Sequence, residues 1–177
     1  MKAKPNKLPI VLFGDPVLRQ VAKPVTVFHN KLHRLIDAMK YTLDLRDDGA
    51  ALAANQVAVL KRITVIDYIN EYIEMINPEI TAAEGEKVDY EGCLSYPGYV
   101  GLVPRYESIS VKYSDRNGIE KLIDRSGAMA RCIQHEIDHL NGILYIDRMK
   151  ENVLIHSKTK TEVELAKVLE LSGRVTA

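Results

Sequence analysis

The chain has no tryptophan, only two phenylalanines, only two cysteines and no excess of either charge, with 24 Lys and Arg against 24 Asp and Glu. Each shortage excludes something. Without tryptophan there is no Trp belt of the kind that seats a protein at a membrane interface. Two cysteines, Cys93 and Cys132, allow at most one disulfide, which rules out a disulfide-stapled scaffold. Balanced charge gives no sequence-level case for gripping a phosphate backbone, and no readout of a nucleic-acid sequence is expected. No apolar run approaches the roughly 18 residues of a membrane span. The basic start, Met1 to Leu8, is followed only by the short apolar patch Pro9 to Phe13, too brief for a secretory leader. A cytoplasmic protein with no membrane partner is expected.

What is present is ordinary globular composition, 46% apolar and 27% charged. At 177 residues, a single domain over 1–177 is expected. Asp15-Pro16 predicts the cap and first position of a short helix running to about Val21. Leu32, Leu35, Ile36, Met39 and Leu43 form one stripe at helical spacing, which predicts an amphipathic helix over about 28–46, stopped by Asp47-Asp48-Gly49. Ile63 to Ile66, Tyr72 to Asn77 and Ser108 to Tyr113 are strand-like, and Asn117-Gly118 signals a hairpin, so the middle of the chain predicts antiparallel sheet. Ser126 starts a second helix, Gly127 to about Leu140, ended by Asn141-Gly142. A third helix is expected near Thr161 to Leu171. The fold class is α+β: antiparallel sheets around a central helix, with an N-terminal amphipathic helix and a C-terminal helix.

That central helix carries His135-Glu136-Ile137-Asp138-His139, an H-E-x-x-H pattern. Residues four apart share a helical face, so both imidazoles can address one cation, with Glu136 beside them to handle a water proton. His29 and His33 have the same spacing but no Glu after the first, and are expected to be solvated helix surface. A catalytic metal site keeps three protein ligands and an open position. An H-E-x-x-H-x-x-G-x-x-H continuation fails, because Tyr145 stands where the last His belongs. Glu162 or Glu164 would complete a peptidase-like site. Cys132 shares the face of His135 but lies about 10 Å along the axis from His139, so it is expected to form a wall near the metal. Cys93, in the glycine-containing segment Glu91-Gly92-Cys93-Leu94-Ser95, approaches from off the helix and is the favoured third ligand.

Three ordered segments together resemble the peptide deformylase family: Gly49-Ala50-Ala51-Leu52-Ala53-Ala54-Asn55-Gln56, Glu91 to Ser95, and Gln134 to His139. Gly14 to Arg19 is similar to the family's N-terminal segment, and the resemblance spans roughly residues 10–150, leaving a family-variable tail. It implies a hydrolase that removes the formyl group from the N-terminal formylmethionine of new polypeptides and releases formate. It implies Cys93, His135 and His139 as metal ligands, Glu136 as general base, and Gln56 with the backbone N–H of Leu94 as oxyanion donors. Gly49, Ala50, Ala51, Gly92 and Cys132 would border the substrate, and Ile133 would join Cys132 at the methionine pocket. Donor chemistry alone favours zinc; the resemblance implies iron(II), with zinc, nickel or cobalt able to substitute. N-formylmethionyl nascent peptides are the implied partners, and contact with the ribosome follows from the family's role. Glu91 is expected to pair with Arg105 and brace the cysteine segment. Two positions depart from the family pattern: Ala51 replaces a glycine, and Tyr99-Val100 replaces a segment where many bacterial members carry an arginine. The rival readings are the Glu-liganded metallopeptidase and a binding module with a closed, structural metal site.

Overall fold

The computed structural model describes residues 5–171, so the ends of the expected 1–177 domain lie outside the described residues. In chain order, a 3-10 turn at Pro16–Arg19 precedes α1 (Asn30–Asp44), β1 (Ala51–Ala53) and a second 3-10 turn at Ala54–Val57. Then come β2 (Ile63–Tyr68), β3 (Glu71–Glu84), β4 (Lys87–Cys93), β5 (Tyr96–Arg105), β6 (Ser108–Ser114) and β7 (Glu120–Ser126). The chain continues through α2 (Gly127–Leu140), a 3-10 turn at Tyr145–Asp147, β8 (Val153–His156), β9 (Glu162–Glu164) and α3 (Leu165–Leu171). One sheet has the order β1-β2-β3-β6-β7 and the other β4-β5-β8-β9, with every strand pair antiparallel.

The β-branched run Ile63 to Ile66 in β2 is buried on both faces. Ile63 and Val65 pack with Leu32, Ile36, Met39 and Leu43 of α1. Ile66 joins Met75, Ile109 and Val111 against Met129, Ala130, Ile133 and Ile137 of α2. Removing a buried Val, Leu, Ile or Met side chain of this core from water contributes about 1.5–3 kcal/mol. Leu35 of the predicted stripe is only partly buried, at the edge of that core. The second sheet packs Val103 and Leu154 on Leu18, Tyr96 and Leu144 to Ile146. Between the two sheets runs α2, and Arg131 reaches from it to the carbonyls of Lys87 and Val103 at 2.7 and 2.8 Å.

Several local expectations hold, and others are corrected. α2 has the predicted bounds. Ser126 occupies its cap position in extended backbone but makes no side-chain cap bond. Gly142 ends the turn at φ +73°, and a β-carbon there would lie 2.4 Å from the Arg19 carbonyl oxygen, so both conformation and contact require glycine. The Asn117-Gly118 hairpin joins β6 to β7, with Asp115 Oδ1 accepting from Asn117 N and Ile119 N. The first turn ends at Arg19, short of Val21. α1 spans less than 28–46, because His29 is its cap and accepts from Leu32 N at 3.2 Å. His33 Nε2 lies 2.8 Å from the Arg116 carbonyl oxygen, so neither histidine is plain solvated helix surface.

β3 runs on through Pro78, past the Tyr72 to Asn77 segment that reads as a strand in the sequence. A register shift between Ile76 and Glu79 absorbs the proline, and Asn77, at φ +54°, brackets Val25 with two 2.8 Å bonds. The C-terminal helix starts only at Leu165, because Glu162–Glu164 pairs with β8 as a strand.

Candidate metal centre

His135 and His139 lie one turn apart on α2, with ring centroids 4.9 Å apart. Cys93 reaches them from the end of β4, where a two-residue turn, Leu94-Ser95, leads back into β5 opposite Tyr96. A register shift between Gly92 and Cys93 re-aims the strand end, so the cysteine sits at a strand terminus rather than in the turn itself. The Sγ of Cys93 is 3.2 Å from His139 Nε2, and the three donor atoms lie within 4.8 Å of one another. Among the described residues no fourth His, Cys, Asp or Glu joins them. Glu162 and Glu164 are exposed on β9 and take no part, so the peptidase arrangement is not built here.

The donor set suits a divalent cation. Burial opposes charge on Cys93, but His139 and His135 beside it hold the thiol well below its ordinary value, as a thiolate. Burial likewise disfavours a charged His135, yet Cys93 and Glu91 raise its pKa well above the usual imidazole range. Thiolate and carboxylate together thus favour positive charge at this point. Cys132 behaves oppositely: burial, then Glu136 and Glu91, push its thiol up well above the ordinary value, so it stays a neutral wall.

Glu91 orients the first histidine. Its Oε2 is 2.9 Å from His135 Nδ1, which turns Nε2 toward Cys93 and His139. The expected pair with Arg105 is present and bidentate, at 2.8 and 2.9 Å. Arg131 adds a 2.8 Å bond to Glu91 Oε1. Arg105 also pairs with Asp138, which in turn takes Arg148 at 2.7 Å. Glu91, Arg105 and Asp138 are all nearly inaccessible, so this network is a rigid brace rather than a solvated cluster. Sequence reading missed Arg131, Asp138 and Arg148. Only Asp138 carried a signal, lying inside the H-E-x-x-H motif three residues after His135. It also missed Tyr145, whose ring stacks on His135 with centroids 6.1 Å apart, and Asn55, whose Nδ2 donates to the His139 carbonyl at 2.6 Å.

Glu136 is 3% exposed. Burial raises its pKa, against the pull of both imidazoles, and Thr64 Oγ1 lies 3.4 Å from its Oε2. Gln56 is fixed through Oε1, which accepts from Ala53 N at 2.8 Å, so its amide Nε2 faces Cys93 Sγ at 3.4 Å and Ser95 Oγ at 3.2 Å. These groups converge on one cavity of about 370 Å³, lined also by Ala50, Ala51, Gly92, Leu94 and Cys132. Ala51 is in β1, in the extended backbone that a β-carbon tolerates. Gly49 and Ile133 lie outside the lining. A β-carbon on Gly49 would be 2.9 Å from Leu43 Cδ1 and 3.2 Å from Leu94 Cδ1, so this glycine serves close packing. Ile133 is in the α2 core instead of the methionine pocket, because it faces the five-stranded sheet.

A sequence profile described as Polypeptide deformylase matches residues 7–154. The chain belongs to that family. A peptide deformylase of Thermoanaerobacter pseudethanolicus is 50% identical over 135 residues, covering 76% of this chain and 84% of the relative. A Synechococcus elongatus peptide deformylase solved with actinonin superimposes with a TM-score of 0.81 at 37% identity, over 99% of this chain and 90% of that one. One from Acinetobacter baumannii with Met-Ala-Ser bound gives 0.76 at 34% identity, over 82% and 99%. As a deformylase, the protein is an enzyme, a metal-dependent hydrolase that removes formyl groups from new polypeptides.

The brace around this deformylase's metal centre has a consequence for acid stability. The Glu91 carboxyl has a pKa of about 2 against an ordinary 4.5, because the bonds from Arg105 and His135 outweigh burial. A carboxylate depressed on folding stabilises the native state fully above its unfolded value and ceases to do so as pH falls from about 4.5 toward about 2. The contribution at neutral pH is on the order of 3 kcal/mol. Urea midpoints of the wild type should drop steeply between pH 5 and 2, and those of Glu91→Gln should start lower and fall less. Parallel curves for the two proteins would remove Glu91 from this role.

Proposed function

We propose that Cys93, His135 and His139 hold the metal, iron(II) in the native enzyme with zinc, nickel or cobalt able to replace it, and that Glu136 is the general base of deformylation. When bound, a divalent cation supplies a lowered water pKa and Lewis-acid polarisation of a carbonyl. Glu136 accepts the proton of the attacking water and delivers it to the departing amine as the formyl C–N bond breaks, leaving formate and a free N-terminal methionine. Gln56 Nε2 and the Leu94 backbone N–H donate to the formyl oxygen as it gains charge. β1 is an edge strand, and Ala51 at its start lines the cavity together with the preceding Ala50. A peptide backbone can therefore pair along it, while small side chains on that strand and at Gly92 leave room for close approach. Cys132 borders the methionine side chain. The single domain expected over residues 1–177 acts as one catalytic unit on nascent chains in the cytoplasm, close to the ribosome.

The observation that carries this reading is the convergence on one cavity of Cys93 and His135, a buried carboxylate and a fixed amide donor, with His139 completing the donor set beside them. The Met-Ala-Ser held by the Acinetobacter relative, a peptide that starts with methionine, supports the substrate class. Anaerobically purified protein should release formate from formyl-Met-Ala-Ser and leave the N-acetyl peptide intact. Activity should decay in air and persist under argon, since iron(II) oxidises and zinc does not. Air-stable activity with one zinc per chain would overturn the iron assignment alone; no formate from any formylated peptide would overturn the function.

A further inference from the structure

Arg131 is among the residues around the catalytic cavity, yet its guanidinium is spent on the protein itself. It donates to Glu91 Oε1 at 2.8 Å, to the carbonyls of Lys87 at 2.7 Å and Asp89 at 3.4 Å on β4, and to the carbonyl of Val103 at 2.8 Å on β5. The side chain is largely buried in doing so. The planar fork of an arginine suits such a task, because its donors leave at fixed angles toward separate acceptors; a lysine is a point charge on a flexible stem. Neither the proton transfer at Glu136 nor the donors to the formyl oxygen make use of Arg131.

The position of Arg131 on α2 gives these bonds their consequence. It lies one turn before His135, about 6 Å along the axis, and both side chains end on the same carboxylate. Arg131 holds Glu91 Oε1, and His135 Nδ1 lies 2.9 Å from Oε2. A single attachment would let the helix pivot against the strand; two attachments a turn apart fix both its tilt and its axial position. Glu91 belongs to β4, two residues before that strand ends in Cys93. The strand gripped by Arg131 is therefore the one that carries the thiolate, although 46 residues separate Cys93 from His139. Glu91 also has Arg105 on both of its oxygens, so loss of Arg131 loosens this geometry without leaving a buried charge unpaired. We infer that Arg131 is a positioning residue for the metal, clamping the helix that bears His135 and His139 to the strand that bears Cys93 and so setting how long the cation stays bound. The inference rests on the proposed Cys93-His135-His139 ligand set and extends it to the side chain that keeps its two halves in register.

The test uses full-length enzyme loaded with zinc and, in parallel, with cobalt(II). The variants are Arg131→Met, Arg131→Lys and, as a control, Arg116→Met. Arg116 pairs with Asp37 and Glu74, and none of these three lines the cavity. Release of zinc to excess chelator should be about tenfold faster or more in Arg131→Met, the usual scale for losing a residue that orients a metal ligand. Arg131→Lys should recover only part of the retention, and it carries the same test if the Met variant does not fold. In the cobalt form, the thiolate-to-metal absorption band should shift in the Arg131 variants. Arg116→Met should lower the thermal midpoint and still release zinc at the wild-type rate. Wild-type release with an unshifted band in the Arg131 variants, or equally fast release from Arg116→Met, would overturn the clamp. Absence of a thiolate band in the cobalt-loaded wild type would overturn the ligand set, and the clamp with it.

Discussion

Glu136→Gln should retain its metal and lose about 100- to 10,000-fold in kcat on a formyl-Met peptide, the contribution of a positioned general base. The substitution isolates proton transfer because little else changes. Glutamine has the shape of glutamate and can still meet Thr64 Oγ1, which lies 3.4 Å from the carboxylate. The site is buried, so water cannot easily replace the missing base. The donor atoms of Cys93, His135 and His139 are untouched. Burying a carboxylate is also costly, so the neutral variant should be at least as stable as the wild type. The check is metal content, thermal midpoint and steady-state kinetics on one preparation. Near-normal turnover with full metal would remove Glu136 from the chemistry.

Cys93→Ala should strip the metal and abolish turnover. It deletes one of three donors, and the one that carries formal charge, since the neighbouring imidazoles keep the thiol well below its ordinary pKa. Two histidines on one helix turn would then hold the cation without the ligand that closes the set from the second sheet. Cys132→Ala, Glu162→Ala and Glu164→Ala should each keep the metal. Cys132 is a protonated thiol, and the two glutamates are exposed on β9. Elemental analysis after gel filtration decides the matter. Metal that survives Cys93→Ala but is lost with either Glu variant would restore the peptidase arrangement that the geometry disfavours.

The metal centre was half legible in the sequence because half of it is local. An i, i+4 histidine pair on a glycine-terminated helix is set by backbone geometry alone, and α2 has the bounds its pattern predicts. Ala51 in extended backbone and the Asn117-Gly118 hairpin are equally local. The same reasoning failed where a tertiary neighbour overrides propensity. Glu162–Glu164 has helical spacing around it but pairs with β8. β3 continues past Pro78 because Asn77 is tied to Val25, more than fifty residues earlier in the chain.

By itself, then, the sequence determined the elements that depend on near neighbours: the α1 stripe, the metal-binding helix and its stop, the tight turn, and the chemical types of the ligands. Only the tertiary structure decided which of the candidate third ligands reaches the histidines, because Cys93 and His139 are brought to 3.2 Å by a strand end meeting a helix from another layer. The Glu91-Arg105-Asp138-Arg148 brace, the Tyr145 ring on His135 and the reach of Arg131 to β4 and β5 were decided in the same way. Contacts between residues tens of positions apart are selected by the packing of whole layers, and no periodicity along the chain records them.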